Sequence, residues 1–243
     1  MLSLQRTYHA WESPNLLGRK MEMVVIGHAG ARMMVFPTSL GSFTEWDDRR
    51  MPEMVGESIR QGWLQMYCVT SAADQGWYDD HAPMPQRAVW QDRYDRYLYH
   101  EVLPFMKQQN DNPFLITAGA SFGGYHALNF ALRHPEEVGR VLAMSAMVDV
   151  RRLTHGWSDE LTYRHNPAEF MRNEHDPVRL EAFRRMDIIL AIGEDDPLCQ
   201  SNREFSAMLW QRGIGNALRV WKGWAHDWPY WEDMVRLYTG GHD

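Results

Sequence analysis

Cysteine is nearly absent, with two in 243 residues. That is too few for a disulfide framework and fits a reducing, cytoplasmic setting. Long apolar runs are missing as well. No stretch approaches the roughly 18 residues that a membrane span requires, so no membrane partner is expected. The opening MLSLQRTYHAWESPN lacks the charged start and apolar stretch of a secretory signal. Basic residues are in the minority, 25 Lys and Arg against 32 Asp and Glu for a net charge of −7, and they form no cluster. This argues against nucleic acid as a partner. With no internal repeat, low-complexity tract or linker-like segment, the chain reads as a single domain over residues 1–243. What is plentiful is tryptophan and methionine, 11 and 16 residues. These suit either an adaptable core or an apolar pocket.

Apolar periodicity predicts strands and helices in alternation. Strands are expected over residues 3–12 (an edge), 20–28, 32–36, 64–70, 140–147, 187–192 and 217–221, with another from Phe114. The 32–36 strand is apolar after Arg32 and is expected near the sheet centre. Helices are expected over about 43–61, 87–107, 200–212 and 228–238, with Pro104 kinking or shortening the second. Residues 150–185 break this rhythm with Pro167, Pro177 and many polar residues, and read as a small cap insertion over one face. The pattern predicts an α/β fold with a mostly parallel sheet of about eight strands, covered by helices on both faces.

The chain is organised around residues 114–128. A short apolar strand enters Gly119-Ala120-Ser121-Phe122-Gly123, and helical spacing follows through Ala127, Leu128, Phe130, Ala131 and Leu132. Gly-x-Ser-x-Gly between a strand and a helix is a nucleophile elbow, in which a strained turn lifts the serine hydroxyl clear. The bland alternative is a glycine-rich turn with an ordinary N-cap serine. A serine hydroxyl attacks well only when an imidazole takes its proton and a carboxylate orients that imidazole. His226, between the last strand and last helix, is the expected base, and His126 and His134 are weaker choices inside the elbow helix. Gly193-Glu194-Asp195-Asp196-Pro197 offers the acid at a strand end, with Asp196 preferred and Asp195 next. The serine–acid–histidine order is that of an α/β-hydrolase.

Three stretches carry a resemblance to a known family: Gly119-Ala-Ser121-Phe-Gly-Gly-Tyr-His-Ala127, Gly193-Glu-Asp-Asp196 and Gly223-Trp-Ala-His226-Asp-Trp228. They resemble the Putative esterase branch of the α/β-hydrolase superfamily, which holds S-formylglutathione hydrolases, feruloyl esterases and mycolyltransferases. The likeness spans most of the chain and is weakest over 150–185. It implies an α/β-hydrolase fold and serine carboxylesterase chemistry but names no substrate; a closed aromatic pocket would favour a small, short-acyl or aryl ester, and no cofactor or metal is expected. It maps the triad acid onto Asp196. Relatives place His-Gly or a similar pair after the third strand, where this chain has Phe36-Pro37-Thr38-Ser39-Leu40-Gly41. The second oxyanion N–H then falls on Ser39, with Leu40 as fallback, beside the Phe122 N–H.

Trp77, Tyr78, Trp157 and Trp228 are the candidate pocket walls. Acyl transfer through the same triad is the nearest alternative function. A non-catalytic binding domain on this fold is another, and a metal site is disfavoured by the spacing of Glu174-His175-Asp176 and His226-Asp227. Association into a homo-oligomer is left open.

Overall fold

A computed structural model describes residues 3–241. Its eight strands are β1 (Arg6–Ser13), β2 (Arg19–Ile26), β3 (Ala31–Phe36), β4 (Leu64–Val69), β5 (Leu115–Ala120), β6 (Arg140–Met144), β7 (Asp187–Gly193) and β8 (Ala217–Trp221). They form one sheet in the order β1-β2-β4-β3-β5-β6-β7-β8. Strand β2 runs antiparallel to both its neighbours, and every other pairing is parallel. β1 is an edge, as expected, and β3 sits between β4 and β5. Side chains along these strands alternate between two layers: Met34 and Phe36 pack in one, Met33 and Val35 in the other. A strand buried on both faces needs an apolar residue at every position, which is why β3 reads as a continuous run. Most of the methionines are absorbed by these two layers, among them Met21, Met23, Met66, Met106, Met144 and Met234.

Three expectations are corrected. The helix anticipated over 43–61 is three short pieces, Glu45–Asp48, Met51–Met54 and Gly56–Arg60. Pro52 has no N–H to continue the ladder, and Arg50 takes a left-handed φ of 59°. The helix anticipated over 87–107 begins at Met84 and runs to Gln109 without being shortened. It passes instead through a π turn at Leu98–Val102, which gives the Pro104 ring room past the His100 carbonyl. Phe114 is not the buried start of its strand, because it is 38% exposed and lies under the Arg140 guanidinium. Residues 150–185 are mostly short helices, including Arg151–Thr154, Glu160–Arg164, Pro167–Phe170 and Pro177–Arg185.

Candidate active site

Strands β3, β5, β6, β7 and β8 all point their carboxyl ends at one edge of the sheet, where sites form in parallel α/β folds. Ser121 follows β5 with φ 55° and ψ −117° and makes no side-chain cap to the helix it precedes (Phe122–Arg133), so it is not an ordinary N-cap serine. The turn is possible because the residues two before and two after Ser121, Gly119 and Gly123, have no side chains. A Cβ on Gly119 would stand 2.2 Å from the Gly123 carbonyl oxygen, and one on Gly123 would stand 2.5 Å from that of Phe36.

His226 reaches Ser121 from the loop after β8, with Nε2 3.0 Å from Oγ. Its Nδ1–H donates to Asp196 Oδ2 at 2.7 Å. A carboxylate can only accept, so Asp196 fixes the tautomer and leaves Nε2 facing the serine hydroxyl. The Asp196 side chain is fully buried. Its second oxygen accepts from the Leu198 N–H at 2.8 Å. The neighbouring carboxylates go elsewhere. Glu194 accepts from the Gly223 N–H, and Asp195 is exposed. His126 and His134 are remote from this chain of bonds. His126 is enclosed by Phe36, Tyr94, Phe122 and Tyr125, and His134 bonds Asp95.

Three further residues support the histidine loop, and it is their supporting roles that had no recognisable signal in the sequence. Gly193 lets the histidine loop cross β7, since a Cβ there would lie 2.0 Å from the Trp224 carbonyl oxygen. Buried Ser145, after β6, has φ 47° and donates to the carbonyl of Ala225, the residue before His226, at 3.2 Å. Trp231 in turn donates its indole N–H to Ser145 Oγ at 3.1 Å and packs edge-on to the His226 ring. Trp224 stacks on the other side of that ring at 5.6 Å between centroids.

The Phe122 N–H heads the elbow helix and has no partner within it. After β3, the Thr38 N–H is taken by Glu45, whereas the Ser39 and Leu40 N–H groups meet no acceptor among the described residues. Tyr78 is part-exposed beside them, with its hydroxyl 3.3 Å from Ser39 Oγ and its ring edge-on to Phe122. Trp77, expected as a pocket wall, is 1% exposed and is core instead, its N–H donating to the Tyr125 hydroxyl. Trp157 is half-buried in the 150–185 segment. Trp228 is half-buried at the head of the last helix (Trp228–Tyr238), under the Arg49 guanidinium. Among the described residues no three His, Cys, Asp or Glu side chains converge as a metal would require, and no helix is long and apolar enough to cross a membrane.

This sheet with its elbow is the α/β-hydrolase fold, and solved structures of that fold resemble it along nearly the whole chain. It is similar to a ferulic acid esterase at 19% identity, with 96% of this chain and 95% of the other covered and a TM-score of 0.76. It is also similar to an S-formylglutathione hydrolase from Agrobacterium tumefaciens, at 15% identity, coverage of 96% and 92%, and a TM-score of 0.74. A third is the S-formylglutathione hydrolase of Staphylococcus aureus, at 18% identity, 97% coverage of both chains and a TM-score of 0.64. No curated protein sequence matches. The family described as Putative esterase matches residues 61–235, and the chain belongs to it. By that membership it is a carboxylic ester hydrolase.

Proposed function

We propose that this esterase works through an acyl-enzyme on Ser121, with His226 as the base and Asp196 as the acid that orients it. The observation that carries this reading is the unbroken path from Asp196 to His226 to Ser121, 2.7 and 3.0 Å, ending on a strained serine with no capping role. His226 takes the hydroxyl proton as Oγ attacks the ester carbonyl, then returns it to the departing alcohol. The oxyanion of the tetrahedral intermediate is received by the Phe122 and Ser39 N–H groups. Water, activated by the same imidazole, releases the acid.

On the acyl side Tyr78 stands beside Ser39 and Phe122, and Met147, Leu153 and Leu161 pack against the Phe122–Tyr125 cluster. Short-acyl or aryl esters fit such surroundings better than long lipids. Residues 150–185 act as the cap of a single α/β-hydrolase domain. They leave the sheet just after β6, beside Ser121, and Val150 and Leu161 join the same apolar cluster. The two cysteines are free and buried, which suits work in a reducing cytoplasm.

The test is hydrolysis of p-nitrophenyl acetate, butyrate and octanoate by wild type and Ser121→Ala, with fluorophosphonate labelling of both. The expected result is turnover favouring the shorter esters, at least about 1,000-fold lower in the variant, and labelling that needs Ser121. Equal rates in the two proteins, or no turnover in either, would sink the assignment and point to a binding role for the fold.

A further inference from the structure

The loop between β3 and the Glu45 helix contains no regular hydrogen-bonded element, yet one carboxylate organises it. Glu45 turns back on the chain, accepting the Thr38 N–H at Oε2 and the Thr38 hydroxyl at Oε1, each at 2.7 Å. The Gly41 N–H closes the turn onto the Thr38 carbonyl at 2.7 Å. Gly41 passes so near that a Cβ on it would be 2.4 Å from Glu45 Oε1, so the glycine is there to let the loop wrap the carboxylate. The other end of the loop rests on the elbow helix, where a Cβ on Gly123 would stand 2.6 Å from the Pro37 carbonyl oxygen. Glu45 is partly buried, which raises its carboxyl above the ordinary value. The two Thr38 bonds and the nearby charge of Arg49 work the other way. A carboxylate held against that desolvation cost, with both oxygens on one residue, is spent on fixing that residue.

We propose that Glu45 is a positioning residue for catalysis: by clamping Thr38 it holds the next amide, the Ser39 N–H, alongside the Phe122 N–H as the second oxyanion donor. This rests on the oxyanion role given to Ser39 above. The clamp acts on charge that exists only in the transition state. Losing it slows acylation and deacylation alike, so kcat and kcat/KM fall together and KM stays nearly unchanged.

Removing a donor outright costs about 100- to 1,000-fold, so releasing the loop that carries one by Glu45→Ala is expected to lower kcat about 10- to 100-fold. The Glu45→Gln amide still accepts the Thr38 N–H through Oε1 and donates through Nε2 to the Thr38 hydroxyl, so its kcat should stay within about threefold of wild type. Arg6→Ala breaks the bidentate pair with Asp47 on the same short helix and serves as the control for loosening without loss of the clamp, with kcat unchanged. The experiment measures kcat and KM on p-nitrophenyl acetate, the rate of Ser121 phosphonylation by a fluorophosphonate, and melting temperature for all four proteins. A fall in kcat and phosphonylation in Glu45→Ala, rescued in Glu45→Gln at similar melting temperatures, supports the proposal. An active wild type with unchanged kcat in Glu45→Ala, or equal losses in Glu45→Ala and Arg6→Ala, overturns it and leaves the Ser121 reading standing. A wild type that neither turns over nor labels overturns both.

Discussion

At the scale of single residues, three of the six non-glycine residues with positive φ among the described residues lie where the chemistry is proposed to occur. Ser121, Ser145 and Ala225 are non-glycine residues with φ of 55°, 47° and 43°, and they follow β5, β6 and β8. Such conformations cost of order 1–3 kcal/mol each and persist only where the surroundings enforce them. The enforcement at Ala225 is a hydrogen-bonded chain, Trp231 to Ser145 to the Ala225 carbonyl, ending one residue before His226. Ser145→Ala leaves a buried indole N–H and a buried carbonyl without their partner. The expected loss is about 1–3 kcal/mol of stability. A drop in kcat should accompany it as His226 gains freedom, while Ser121 labels more slowly. Unchanged kcat alongside a clear loss in melting temperature would confine Ser145 to folding. Ser121 and His226 were legible in the sequence because a motif and a chain order announce them. The choice of Asp196 over Asp195 depends on which way each carboxylate turns, and spacing does not contain that. Ser145 and Glu45 are invisible to motif reading, because they act through main-chain atoms.

Among the elements, the strands were read well, since burial on both faces writes itself as an apolar run, and their bounds differ from expectation by a few residues. The helices were read less well where local backbone chemistry overrides periodicity, at Pro52 and at the π turn before Pro104. The 150–185 segment, which carries no period of its own, was legible only as an interruption. Its attachment is specific. The Tyr125 hydroxyl accepts from Trp77 and donates to the His165 carbonyl, both at 2.9 Å, tying the elbow helix, the 71–84 loop and the insertion together. Tyr125→Phe removes both bonds and leaves two buried polar groups unpaired, at a cost of about 1–3 kcal/mol. Limited proteolysis should then cut within residues 151–175 faster than in wild type. Cleavage that speeds up equally across the whole chain would mean that the bond stabilises the fold at large and not this attachment.

For the molecule as a whole, the buried histidines set how stability depends on pH. His126 lies inside the elbow helix among four aromatic rings, its Nε2 without a hydrogen-bond partner among the described residues. Burial, reinforced by the nearby His165, pushes its pKa down from 6.5 to about 3. His165, also buried, is lowered by desolvation even though Asp92 pulls it up. A histidine depressed in the fold is protonated first in the unfolded chain, so stability falls as pH drops below 6.5 and keeps falling until the folded value is reached. Between pH 7 and 5 His126 alone should cost about 2 kcal/mol, from 1.5 units at 1.36 kcal/mol each. Burial opposes ionisation of Asp95, but its bond to His134 and the Arg133 charge hold that carboxyl well below its ordinary range. Its contribution is therefore lost only as pH falls below about 4, outside this window. Glu45, raised by burial, titrates with the opposite sign. The melting temperature of wild type is expected to fall by roughly 4–8 °C from His126 between pH 7 and 5. In His126→Leu, which keeps the apolar contacts and removes the proton site, the fall should be smaller by that amount. If the two proteins lose the same number of degrees, His126 is not the group that couples folding to protons, and His165 behind Asn129 becomes the one to replace.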